Sequence, residues 1–236
     1  MADKERTDWV CSTMVELEPA STTVTTRGLA LREARWTTGQ TLTIGFLEGS
    51  AHLQDRVFAT ARRWTAPDEG GANLRFERST DPAKADIRIA FDANRGSWSK
   101  IGTYAKGTDP QEPTMNLGWA HETTPEKTFA SVVLHEFGHA IGLLHEHNHP
   151  HAQLRWNRDA VYADLMGPPN NWSKETIDYN VFNCYPENRV KMSENPDLIS
   201  IMIYTIPEHW LDGQPAVTPS DRLSPGDIEF IRGLYA

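Results

Sequence analysis

Two rhythms of apolar residues alternate along the chain. In residues 51–64 the apolar positions Leu53, Val57, Phe58, Ala61 and Trp64 recur at the spacing that lines one face of a helix. Residues 41–47 (TLTIGFL), 73–77 and 85–91 (ADIRIAF) instead alternate or run apolar as strands do, with Gly70-Gly71 and Asp81-Pro82 as turns between them. Residues 114–119 (TMNLGW) read as one further short strand. The longest helix is expected next: Thr123 or Thr124 can cap it, Pro125 suits its first turn, and Phe129, Val132, Val133, Phe137, Ala140, Ile141 and Leu144 supply its apolar face. Pro and Asn punctuate the remainder of the chain, leaving a helix near residues 158–166 and a last one over about 225–234, where Ser224 and Asp227 form a capping box with Pro225 at the first position. Residues 1–35 mix charge with a Thr-rich run at 21–26 and show no period, so they read as an amino-terminal extension to a domain spanning 36–236. No internal repeat is evident.

Composition narrows the function. With 236 residues, 39% of them hydrophobic and 23% charged, the chain can bury one substantial core. A formal net charge of -9 argues against nucleic acid and anionic membranes as partners, because both demand clustered Lys and Arg. No stretch approaches the roughly 18 to 20 apolar residues that span a bilayer. The opening MADKERTDW has no apolar core of a secretory signal, so a leader has been replaced by a start Met or the protein is leaderless. A soluble monomer is expected.

The chemistry concentrates in residues 135–145, HEFGHAIGLLH. His135 and His139 are four residues apart, about 6 Å of rise and about 40° around a helix, so both imidazoles can meet one ion. His145 would lie about 9 Å further along a continued helix, whereas zinc holds each nitrogen at about 2.0 to 2.1 Å. The helix must therefore stop in between, and Gly142 can take the positive φ that turns the chain back. Three neutral imidazoles leave a fourth position for water, the open coordination of a catalytic zinc. Glu136, beside the first ligand, is placed to take the proton of that water and return it to the leaving amine.

HExxHxxGxxH is the metzincin zinc signature, and with Glu146 following the third histidine the chain resembles the astacin branch. SIMIY at 200–204 resembles the astacin Met-turn, with Ile203 where astacins commonly carry His. ADIRIAF, the run Gly96-Ser97-Trp98, and LSPGDIEFIRGLY near the carboxy terminus resemble further parts of that family. The resemblance implies an α+β fold: a twisted, mostly parallel sheet of four to five strands, an active-site helix beneath it and a loop-rich carboxy-terminal part. An upper part (36–142) and a lower part (143–236) would flank the cleft. It further implies one catalytic Zn2+ on His135, His139 and His145, Glu136 as base, Tyr204 supporting the oxyanion and Met202 beneath the ligands. Met115, Asn116, Leu117 and Gly118 would form the edge strand that pairs with an extended peptide, and residues 205–210 would wall the pocket for the residue after the cut. The implied activity is a zinc-dependent endopeptidase acting on protein or peptide, secreted or extracellular. Two rivals stand beside it, a zinc amidase acting on a small non-protein amide and a catalytically silent zinc-containing binding module. Glu136 argues against the second, since a structural site has no use for a base.

Cys11 and Cys184 do not reproduce the four-cysteine pattern of animal astacins, and the segment after Glu146 follows the family only loosely. Three arrangements of the cysteines are open: a disulfide, two unlinked thiols, or a Cys11 thiolate on the fourth zinc position. His147, His149 and His151, flanking Pro150, read as a solvated loop rather than a second metal site. Asp92, Asn94 and Gly96 mimic the start of a calcium loop but read as a turn.

Overall fold

A computed structural model describes residues 28–168, 170–218 and 220–236; the Thr-rich run and Cys11 lie outside them. Strands β1 (Leu29–Leu31), β2 (Thr41–Phe46), β3 (Arg75–Arg78), β4 (Ile87–Ala90), β5 (Ser97–Ser99), β6 (Met115–Leu117) and β7 (Val190–Met192) are joined by helices α1 (Ala51–Ala61), α2 (Glu126–Ala140), α3 (Arg158–Leu165), α4 (Lys174–Ile177) and α5 (Pro225–Leu234). Five strands form a sheet in the order β3-β2-β4-β6-β5, in which only β5 runs antiparallel to its neighbour. This is the α+β architecture expected, with five strands.

The strand order corrects one expectation. Met115, Asn116 and Leu117 do not form an edge: β6 lies between β4 and β5, and the last strand on that side is β5. Gly118 continues inward, its N–H donating to Gly96 O at 3.1 Å. Asn116 serves the edge indirectly, since its side-chain amide donates to Asp92 O and Gly96 O and accepts from Asp92 N, holding the turn that launches β5. Asp92 closes that turn itself, its carboxylate accepting from Asn94 N at 2.9 Å.

One apolar core joins the sheet to α1, α2 and α5 through Leu42, Ile44, Val57, Trp64, Phe129, Phe137 and Phe230. Two indoles pin the active-site helix: Trp64 Nε1 donates to Leu134 O at 2.9 Å and Trp36 Nε1 to Ala140 O at 2.8 Å. Pro125 occupies the cap position of α2, and neither threonine caps it. Thr124 Oγ1 instead accepts from His121 N and donates to Trp119 O, closing the turn that leads into the helix. The capping box of α5 is present as read, with Ser224 and Asp227 reciprocally bonded.

The last residues of the stretch read as an extension are ordered into the fold. β1 pairs antiparallel with β7, Leu29 opposite Met192, and is buried. On its other side Leu31 N donates to Gly142 O and Leu144 N to Leu29 O, so β1 lies between β7 and the chain leaving α2. A separate cluster built on Val161, Ile177, Val181, Tyr204, Ile206 and Trp210 forms the core of the carboxy-terminal part. Among the described residues no helix is long and apolar enough to cross a membrane.

Candidate metal centre and cleft

His135 and His139 project from the last turns of α2. The helix ends at Ala140, Gly142 reverses the chain with φ of 98°, and the extended residues beyond it are fixed by β1. His145 thereby returns to the other two. Its Nε2 lies 3.0 Å from Nε2 of His139 and 3.2 Å from Nε2 of His135.

Those separations fit a metal. Tetrahedral bonds of about 2.0 to 2.1 Å place ligand nitrogens about 3.3 Å apart. The tautomers agree as well, because His135 Nδ1 donates to Ile201 O at 2.8 Å and His139 Nδ1 to Leu143 O at 2.9 Å. Each of these rings thus turns a bare Nε2 lone pair toward the common point, an arrangement that repels unless a cation lies between. Burial drives the His135 pKa down to about 4 and those of His139 and His145 well below the ordinary value, which keeps all three imidazoles in the neutral form that binds metal. The described residues contain no other cluster of this kind.

Glu136, 1% exposed, opens with His135 onto a cavity of about 390 Å³. One wall is the α2 face carrying Thr128 and Val132; the other is the chain from Ile203 to Thr205. Of residues 205–210, expected to wall this pocket, Thr205 alone lines the cavity; Ile206 and Trp210 are buried in the carboxy-terminal core instead. Tyr204 packs among the imidazoles, its ring centroid 4.2 Å from His145 and 6.4 Å from His135.

Met202 is buried under α2, where Gly138 leaves room for its sulfur. The turn that carries it is held from α5: Asp227 accepts from Ser200 Oγ at 2.6 Å and from Ile201 N at 2.9 Å, while Ser200 Oγ accepts from Met202 N. The carbonyl of Ile201 is in turn the partner of His135. Asp227 was visible in the sequence only as a helix cap, and Gly138 carried no signal there; both act on the site through contacts between distant segments. Glu146 is tied to the same turn, its N–H donating to Met202 O and its carboxyl accepting from Asp197 N, and burial lifts its pKa to about 8.

The reading of the histidine-rich segment as a solvated loop fails for two of three residues. His147 and His149 are buried, the first with Nε2 donating to Asn180 O and the second with Nε2 against Ser193; only His151 faces solvent. The segment is clamped between the site and the carboxy-terminal part, a tertiary effect that flanking Pro and polar residues conceal. Cys184 is exposed.

A histidine triad closing on one point at the end of an active-site helix, above a buried methionine turn and beneath a mostly parallel sheet, defines a metzincin-type zinc peptidase domain. The model of the astacin peptidase family matches residues 33–224, and the chain belongs to that family, whose members use one catalytic zinc. The solved structure of myroilysin superposes with a TM-score of 0.82 at 34% identity, covering 88% of this chain and 98% of that one. High choriolytic enzyme 1, a hatching enzyme zinc-protease from the medaka Oryzias latipes, shares the fold with a TM-score of 0.51 at 19% identity, covering 92% and 98%. Among curated proteins, zinc metalloproteinase dpy-31 of Caenorhabditis elegans is 27% identical over 169 residues, 69% of this chain and 26% of that protein. The chain thus spans about a quarter of the length of such relatives.

Proposed function

We propose that this domain is an endopeptidase that hydrolyses the backbone of protein or peptide substrates. The observation that carries the reading is that Glu136 and His135, one of three histidines converging on a single point, line the same cavity, which is large enough for a substrate side chain. His135, His139 and His145 would hold the ion. A zinc ion held there would supply Lewis acidity, polarising a carbonyl and lowering the pKa of a water toward neutral. Glu136 takes the proton of that water and delivers it to the departing amine, so the same carboxylate serves as base and then acid. Tyr204 donates its phenol hydrogen toward the oxygen that becomes negative, and Met202 supports the ligands from below. The peptide lies extended beside β5, the last strand of the sheet, through backbone bonds that are indifferent to side-chain identity. Residues 36–236, together with the β1 segment that fixes the chain after α2, form the catalytic unit, 36–142 above the cleft and 143–236 below it, acting as a monomer outside the cell.

Casein digestion by the purified protein tests this. Cleavage should vanish with a zinc chelator and return with added zinc. A zinc-loaded protein that spares casein and peptides but hydrolyses small amides would establish the amidase reading instead, and zinc binding with no hydrolysis at all would leave a binding module.

A further inference from the structure

His147, two residues past the third ligand, has no part in the chemistry above, yet it is 2% exposed and packed directly against the site. Its ring centroid lies 4.3 Å from that of Tyr204 at 31° and 5.1 Å from that of His145 at 22°; Trp156 meets it edge-on at 6.1 Å. Its Nε2 is 3.0 Å from Asn180 O. A carbonyl only accepts, so the proton is on Nε2 and Nδ1 is the bare nitrogen. That Nδ1 is buried without a hydrogen-bond partner. An unpartnered buried polar atom is unfavourable, so the bond to Asn180 O holds this imidazole in place against the cost of a bare Nδ1.

The partner of His147 is also unusual. Asn180 sits in a π-type turn, Asp178–Phe182, that follows α4, and its carbonyl is the acceptor that meets His147. The Asn180 side chain steadies the turn by donating to Thr176 O at 2.8 Å. One donor and one acceptor thus fix the plane of the His147 ring, and that plane is the face on which the Tyr204 ring rests.

We propose that His147 is a positioning residue for Tyr204: held by the Asn180 carbonyl, its ring confines the phenol ring to the orientation from which the hydroxyl reaches the reacting carbonyl. The proposal rests on the role given to Tyr204 under the proposed function. Aromatic faces at this distance restrict a neighbouring ring without bonding to it. The contact acts on the transition state, because that is when the hydroxyl is used.

The test compares the full-length, zinc-loaded protein with two variants, each in the parent and in a Tyr204→Phe background, using a quenched fluorescent peptide together with zinc content and melting temperature. His147→Gln keeps a donor for Asn180 O but removes the ring. It should lower kcat about tenfold, a fraction of what loss of an oxyanion donor costs, with KM changed by less than about twofold and with zinc content and Tm near the parent's. In the Tyr204→Phe background the same change should cost nothing more. His147→Phe keeps the ring but loses the donor that holds it, so it should melt earlier and, well below its Tm, keep more of kcat than His147→Gln but less than the parent. An equal loss from His147→Gln in both backgrounds, a loss that follows zinc content, or no loss would overturn the proposal. Should Tyr204→Phe alone match the parent, the role of Tyr204 falls and that of His147 with it, a result read from the single variant.

Discussion

The sulfur of Met202 fills the space over Gly138: a β-carbon at position 138 would stand 2.2 Å from Sδ, 3.0 Å from Cε and 3.2 Å from the Trp64 ring. Glycine in mid-helix ordinarily costs about 1 kcal/mol against alanine, so α2 gives up helical stability between its two zinc ligands to admit the methionine. The Met-turn and the active-site helix are thereby locked at a fixed separation, with His135 bonded to Ile201 just before Met202.

The sign of a substitution at Gly138 should therefore depend on Met202. In the parent, Gly138→Ala should destabilise by about 1 to 3 kcal/mol, the usual cost of overpacking, less what the helix gains. With Met202→Ala already present the contact with the methionine is gone, and once the Trp64 ring, 3.2 Å away, yields into the vacated space the same change should stabilise. Urea unfolding of the four proteins supplies the cycle. A destabilisation of equal size in both backgrounds would show that the methionine does not set the requirement for glycine.

Two substitutions one turn apart should separate metal binding from catalysis. His139→Ala leaves two imidazoles and should lose most of its zinc on dialysis, because its Nε2 lies 3.0 Å from that of His145 at the centre of the triad. Glu136→Gln preserves shape and should keep zinc and fold while proteolysis drops by about 10² to 10⁴, the scale of general acid and base catalysis. Metal analysis alongside peptide cleavage distinguishes them. Full zinc in the first variant, or near-parental rates in the second, would reassign the residue concerned.

Tyr204→Phe retains the ring that packs 4.2 Å from His145 and removes only the hydroxyl. If that hydroxyl acts on the developing oxyanion, kcat should fall by up to about 10² to 10³ while KM stays near the parent's. A change confined to KM would mean that Tyr204 binds the ground state.

The metal centre was legible because it is nearly local: four-residue spacing on a helix and a glycine at its end confine three ligands within eleven positions. The capping box of α5 was legible for the same reason. What escaped the sequence depends on distance along the chain. β1 and β7 are three residues each and pair across some 160 positions, too short to show a period. β5 is the tripeptide Ser97–Ser99, so Met115 to Gly118 looked like the last strand when it was the one before. His147 and His149 looked solvated because their burial is created by Asn180 and Ser193, contributed by segments some 30 to 45 residues away.

The burial of His149 carries a prediction about acid. Its Nε2 lies 3.1 Å from Ser193 O and 3.0 Å from Ser193 Oγ, while Nδ1 accepts from His151 N at 3.0 Å. The ring is therefore neutral, with its proton on Nε2. Burial is the main cause of a pKa lowered from 6.5 to about 4; nearby His151 pushes the same way, and the Ser193 bond and Glu187 oppose it. Between those two values the unfolded chain binds a proton at this residue and the folded chain does not, so stability must fall as pH drops from about 6.5 toward 4. At roughly 1.4 kcal/mol per unit the contribution is at most about 3.5 kcal/mol. His149→Gln cannot titrate but keeps a donor for Ser193, so it should start less stable at pH 7.5 and lose less on acidification. Urea unfolding at pH 7.5 and 4.5, with chelator in every sample so that zinc release from the ligand histidines does not enter, gives the two slopes. A parent that is no steeper than the variant would mean that His149 takes up its proton in the folded protein as readily as in the unfolded one.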